Sequence, residues 1–143
     1  MNNIHASCIS IDNNGVLIIG KSGSGKSDLA LRLIDNGAEL VADDRCEVFA
    51  DNNKLLAQAP SRIKGLIEVR GIGIIKLPFV IKSEIKLVVE LQEKLLIDRM
   101  PDADLCHICG LDIPKILLYP FENSAIIKVK LALAIAANKI EKI

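Results

Sequence analysis

Eight consecutive residues carry the clearest chemistry in this chain. Gly20-Lys21-Ser22-Gly23-Ser24-Gly25-Lys26-Ser27 satisfies the spacing G-x-x-x-x-G-K-[ST] through Gly20, Gly25, Lys26 and Ser27. Consecutive backbone N–H groups can turn inward on phosphate oxygens only where the backbone angles are unusual, and glycine permits those angles. A helix starting at such a loop aims its positive end at the same oxygens. Lys26 is then placed for the β- and γ-phosphates, and the Ser27 hydroxyl for Mg²⁺. The whole loop is therefore assigned to a nucleoside triphosphate, read as ATP with Mg²⁺. A chance glycine turn is the alternative, and an apolar run before the loop with helical spacing after it argues against chance.

Four further groups could take part. Asp43-Asp44 directly follows the apolar run Leu40-Val41-Ala42. A strand lying beside the loop strand would deliver one carboxylate to Mg²⁺ and the other to the proton of an attacking hydroxyl or water; a solvated capping turn is the plain alternative. Glu68 interrupts the apolar run Leu66 to Val69. A carboxylate there is costly to bury without a metal or a cation, so it either completes a Mg²⁺ shell with Ser27 or pairs with Arg70. His5, on the first strand of a hairpin that leads into the loop, would tune a nearby carboxylate or be structural. Arg99 would offset charge on a transferring phosphoryl group or be a surface residue. Cys106-His107-Ile108-Cys109 has half the ligands of a zinc site and no second pair downstream, so structural reduced thiols are expected.

The elements that must position these groups follow from patterning. Ile4 to Ile11 reads as one strand, Asp12-Asn13-Asn14-Gly15 as a turn, and Val16 to Ile19 as the returning strand. Ser27 to Asn36 has apolar residues at helical spacing and ends at Asn36-Gly37. Leu40 to Ala42 is a short buried strand. Cys46 to Ala50 and Leu55 to Ala59 form a second hairpin about Asp51-Asn52-Asn53. Leu66 to Val69 is extended, Arg70 to Gly73 a loop, Ile85 to Leu91 a strong strand, Ile97 to Leu111 irregular, Ile113 to Leu118 the last strand, and Ser124 to Asn138 a closing helix. Strands with two good helices, one directly after the loop strand, predict a mixed α/β domain.

Composition narrows the class of partner. The 143 residues suit one domain, and 18 basic residues balance 18 acidic ones. No global field recruits nucleic acid or an anionic membrane, and aromatics are too few for a base-stacking platform. No secretory leader or membrane-length apolar run is visible, so a cytoplasmic location with reduced Cys8, Cys46, Cys106 and Cys109 is expected.

Together these residues resemble one family, the catalytic domain of HPr kinase/phosphorylase, which phosphorylates a serine of the phosphocarrier protein HPr. The likeness runs from Ile4-His5 through Gly15-Val16-Leu17-Ile18, Gly23-Ser24-Gly25-Lys26-Ser27-Asp28, Gly37 and Leu40-Val41-Ala42-Asp43-Asp44 to Ile67-Glu68-Val69-Arg70-Gly71-Ile72-Gly73-Ile74-Ile75. The resemblance implies a P-loop domain similar to the nucleotide domain of phosphoenolpyruvate carboxykinase. It also implies that Lys26 binds phosphate and that Ser27 and Glu68 hold the metal. Asp44 would be the proton acceptor, and the donor in the reverse phosphorolysis. Asp43 would assist, His5 would tune the pair, and Arg99 would be the catalytic arginine. Family members are usually hexamers, and the short form without an extra N-terminal domain is the better likeness. One departure stands out: Tyr119-Pro120-Phe121-Glu122-Asn123-Ser124 replaces a Pro-Gly-Arg-Asn segment that the family ties to phosphorolysis and to hexamer contacts. The rivals are a small-molecule kinase or NTPase, which should carry an Arg-rich lid, and a non-catalytic ATP-binding regulator.

Overall fold

The computed structural model describes residues 1–143. Its first half is built on two tight hairpins. β2 (Ser7–Ile11) returns as β3 (Asn14–Ile19) across Asp12 and Asn13, and β5 (Arg45–Asp51) returns as β6 (Lys54–Gln58) across Asn52 and Asn53. Both loop residues are left-handed in each turn, with φ of 49° and 66° in the first and 49° and 64° in the second. That geometry matches the twist of the flanking strands, and Asn and Asp tolerate it.

The remaining elements are β1 (Asn2–His5), α1 (Lys26–Asp35), β4 (Glu39–Ala42), β7 (Leu66–Val69), β8 (Gly73–Lys76), β9 (Ser83–Leu91), β10 (Asp104–Ile108), β11 (Leu111–Leu118) and α2 (Ala125–Ala136). Nine strands form one mixed sheet in the order β1-β5-β6-β9-β3-β2-β4, with β11 also on β9 and β10 on β11. β9 reaches β6 only through Ser83 and Glu84, then runs parallel to both β3 and β11. The sheet therefore curls around β9. β7 and β8 make a separate two-stranded ribbon.

Val16, Leu17 and Ile18 are all buried because both faces of β3 are covered. Such a strand reads as a continuous apolar run rather than an alternation. One face, with Val16, Ile18, Leu87 and Val89, packs against Leu29 and Leu33 of α1 and Val129 and Leu133 of α2. The other face, with Leu17 and Val88, packs against Val48, Leu55 and Ala57 of the second hairpin. At about 25 cal/mol per Å² of apolar surface, these two layers supply the main force holding β3 and α1, and so the loop between them, in place.

Four expectations change. Ile4 to Ile11 is two strands rather than one: the chain turns at Ala6, whose N–H bonds Asp44 O at 3.1 Å, so β1 pairs with β5 while β2 pairs with β3 and β4. His5 thus lies outside the first hairpin. The strand carrying Asp43-Asp44 is not beside the loop strand, because β2 separates β4 from β3. Gly73–Lys76 and Asp104–Ile108 are strands, each completing an antiparallel pair with a neighbour that local patterning does not reveal. Pro114 lies within β11 but precedes its pairing with β9, which starts at Lys115.

Candidate active site

β3, β4, β9 and β11 all run in one direction, so their C-terminal ends meet at one edge of the sheet. The loop 20–25 leaves β3 there, Asp43-Asp44 leaves β4, and Tyr119-Pro120-Phe121 leaves β11. In open α/β sheets this edge is where ligands bind, because helix N-termini and connecting loops converge on it.

A groove of about 500 Å³ opens at this edge, lined by His5, Ser22, Gly23, Gly25, Lys26, Ser27, Asp44, Glu68, Arg70 and Phe121, among others. A larger share of its wall is polar than in an ordinary small-molecule pocket, as a polyanion site requires. Gly25 caps α1 with φ of 103°, a left-handed angle that other residues rarely adopt. A Cβ at this position would come within 2.9 Å of the Phe121 ring. The loop and the segment after β11 therefore touch at a point where only glycine fits.

Lys26 is buried, at 7% exposure. Its Nζ donates to Gly20 O and Lys21 O, both at 3.0 Å. Two of its three donors are used within the loop, which leaves one for a ligand oxygen. Ser24 Oγ is buried with no hydrogen-bond partner, an uncommon state for a native hydroxyl.

The adjacent acids have opposite surroundings. Asp43 is 5% exposed. Its Oδ1 accepts from Ser27 Oγ at 2.7 Å and from Ser7 Oγ at 2.8 Å. Asp43 lies behind Ser27 and is not itself part of the groove wall. Asp44 has a left-handed backbone, with φ of 68°, a conformation that Asp tolerates better than most residues. Its carboxylate reaches the groove, is 69% exposed, and lies 2.9 Å from His5 Nε2. The turn is held by Arg45 N–H on Asp43 O at 2.8 Å. One acid is thus a fixed acceptor for buried hydroxyls, and the other is a base open to whatever enters the groove.

Glu68 lines the groove from the β7–β8 ribbon and is exposed. It makes no ion pair with Arg70; both side chains face the groove instead. Arg99 is exposed, in the segment after β9, and is not among the lining residues. No three His, Cys, Asp or Glu side chains converge as a metal cluster anywhere in the molecule. His107 is bonded to Asp112 at 2.8 Å, and all four cysteines are free thiols. A hydrogen bond with Cys46, and then burial, push the Cys8 thiol well above its ordinary range.

The sequence reading missed two residues. Ser7 carried no local signal, since its contact with Asp43 spans 36 positions of chain. Phe121 stood out only as part of the Tyr119 to Ser124 segment, since its contact with Gly25 spans 96 positions of chain.

Residues 1–142 match the family model for the HPr Serine kinase C-terminal domain. The chain belongs to that family. A solved structure, the HPr(Ser) kinase/phosphatase from Coxiella burnetii, superposes with a TM-score of 0.86 at 31% identity, covering 99% of this chain and 100% of that one. The α/β architecture with its curled mixed sheet is thus shared with that protein. Among curated relatives, the HPr kinase/phosphorylase of Lactobacillus acidophilus is 38% identical over 127 residues, covering 80% of this chain and 39% of the relative. HPr kinase/phosphorylase 1 of Oceanobacillus iheyensis is 38% identical over 138 residues, covering 87% of this chain and 44% of the relative. The chain therefore spans about two fifths of the length of these relatives. No helix is long and apolar enough to cross a membrane.

Proposed function

We propose that this chain is an ATP- and Mg²⁺-dependent serine kinase acting on an HPr-type phosphocarrier protein. The observation that carries this reading is the shared groove: Lys26 and Ser27 of the glycine-rich loop face the same space as the exposed Asp44 and its partner His5. A phosphate site and an accessible base within one groove are what transfer to a hydroxyl requires. The family resemblance supplies the substrate class. We take the domain to be a P-loop fold of the phosphoenolpyruvate carboxykinase type, with the nucleotide at the carboxyl edge of the sheet.

The residues present fit a metal–triphosphate group. The space over Gly23 is open, Ser24 Oγ is a buried hydroxyl without a partner, and Lys26 has a donor to spare. Ser27 and Glu68 would hold Mg²⁺, which neutralises phosphate charge when bound. The loop N–H groups and Lys26 orient the γ-phosphate. His5 holds Asp44 in place through Nε2. Asp44 accepts the proton of the incoming serine as its Oγ–P bond forms and the bond to the departing ADP oxygen breaks. Asp43 assists from behind Ser27. Arg99 follows β9, so its segment leaves the sheet at the same edge; closing over the groove would let it offset charge on the phosphoryl group in transit.

The test is incubation with Mg-ATP and the HPr of the same genome, read by intact mass. Gain of one phosphoryl group on a serine, lost with Lys26→Ala, is expected. Nucleotide binding without transfer would sink the kinase reading and leave a regulator. A second arm, with phosphoserine-HPr and inorganic phosphate, reads phosphorolysis separately.

A further inference from the structure

We infer that Ser7 is a positioning residue for the metal–nucleotide site, acting through Asp43 on Ser27. The inference rests on the nucleotide reading above and goes beyond it, because Ser7 neither lines the groove nor belongs to the loop.

The argument is geometric. A hydroxyl that serves as a metal ligand must present a lone pair to the cation, so its proton has to point elsewhere. Ser27 points its proton at Asp43 Oδ1, 2.7 Å away. That acceptor helps only if it stays where it is, and the terminal torsion of an aspartate is soft and broad. Ser7 removes the freedom. It is 0% exposed on β2, and its Oγ donates to the same Oδ1 at 2.8 Å. Both hydroxyls converge on one oxygen, and rotation of the carboxylate would break both bonds at once.

The surroundings leave Ser7 no other use. It is enclosed by β3 and β4, which pair with β2 on either side. Its backbone register, opposite Ile18, places it just before the end of β3 where the loop begins. β2 is therefore more than a spacer between the loop strand and the acid strand. It links them through a chain of three side chains, Ser7, Asp43 and Ser27. Groups that orient a metal ligand from behind change metal affinity roughly 10- to 100-fold when removed.

The test uses the full chain and equilibrium binding without turnover: Mn²⁺ titrated in the presence of ADP and read by electron paramagnetic resonance, beside ADP alone in chelator. Ser7→Ala is expected to weaken Mn²⁺ binding about 10- to 100-fold and leave metal-free ADP affinity close to wild type. Equal Mn²⁺ affinity in the two proteins overturns the inference. So does a loss that appears equally for metal-free ADP, since that marks general damage. Should Ser7→Ala fail to fold, Ser7→Thr and Ser7→Val replace it, being alike in shape and differing in the hydroxyl. Tighter Mn²⁺ binding by the Thr variant supports the role, and equal binding sinks it. A wild-type chain that binds no ADP under any condition, or binds ADP but takes up no Mn²⁺ beside it, defeats the metal–nucleotide reading itself and is told apart from failure of the Ser7 role by needing no variant.

Discussion

Asp43 and Asp44 are neighbours in the chain and opposites in environment. Asp43 is enclosed, at 5% exposure, with two hydroxyls on one oxygen. Asp44 has a 69% exposed side chain whose one hydrogen-bond partner is His5, itself 42% exposed. The left-handed residue at 44 turns the second carboxylate away from the first. A groove that takes both a small polyanion and a protein hydroxyl needs this division. The side facing the metal gains from rigidity, because a displaced ligand loses affinity. The side facing the protein must stay open, because a buried base cannot meet a hydroxyl carried on a macromolecule.

The largest expected effect breaks the open side. Asp44→Asn should lower phosphoryl transfer by about 10²- to 10⁴-fold, the usual share of a general base. ADP affinity and thermal stability should stay near wild type, and a matching loss of ADP affinity would contradict the division. Next comes the enclosed side. Asp43→Ala should reduce metal-dependent nucleotide binding and also cost about 1–3 kcal/mol of stability, because it strands the buried Ser7 hydroxyl. Urea unfolding of this variant beside Asp44→Asn tests the contrast directly, and equal midpoints would erase it. His5→Ala is a smaller perturbation. Its partner pair is exposed and screened, so stability should change by less than about 1 kcal/mol, while transfer falls by less than in Asp44→Asn.

The smallest effect concerns the enclosed side alone. Cys8 pairs in register with Ala42, next to Asp43, and its folded thiol has a raised pKa through Cys46 and burial. Between the unfolded value, about 8.5, and the higher folded value, the unfolded chain has lost a proton that the native chain retains. Stability is therefore full below about pH 8.5 and falls as pH rises beyond it. Urea midpoints at neutral and alkaline pH should show this decline, with a shallower one in Cys8→Ala. Identical slopes would remove Cys8 as the cause.

Much of the architecture is legible in local patterning. The glycine spacing marks the loop, and the strand before it and helix after it are where the apolar runs place them. Both tight hairpins declare themselves through Asp-Asn and Asn-Asn pairs that accept left-handed angles. The failures are non-local. Residues 4 to 11 read as one strand because nothing within them says that His5 will pair with Arg45 while Ser7 pairs with Ile18. Gly73–Lys76 and Asp104–Ile108 become strands through partners rather than propensity. The Glu68–Arg70 pair is absent because neither side chain is buried, so nothing forces them together.

By itself, the sequence determined which chemical groups the protein owns, the loop that holds them, and the short-range turns, because these depend on residues within a few positions of one another. Only the tertiary structure decided which carboxylate is enclosed and which is open. It alone set Ser7 on Asp43, Phe121 against Gly25, and Arg99 outside the groove. Those outcomes depend on strand order and on the curl of the sheet around β9, which arise from burial summed over the whole chain and leave no mark on any one segment.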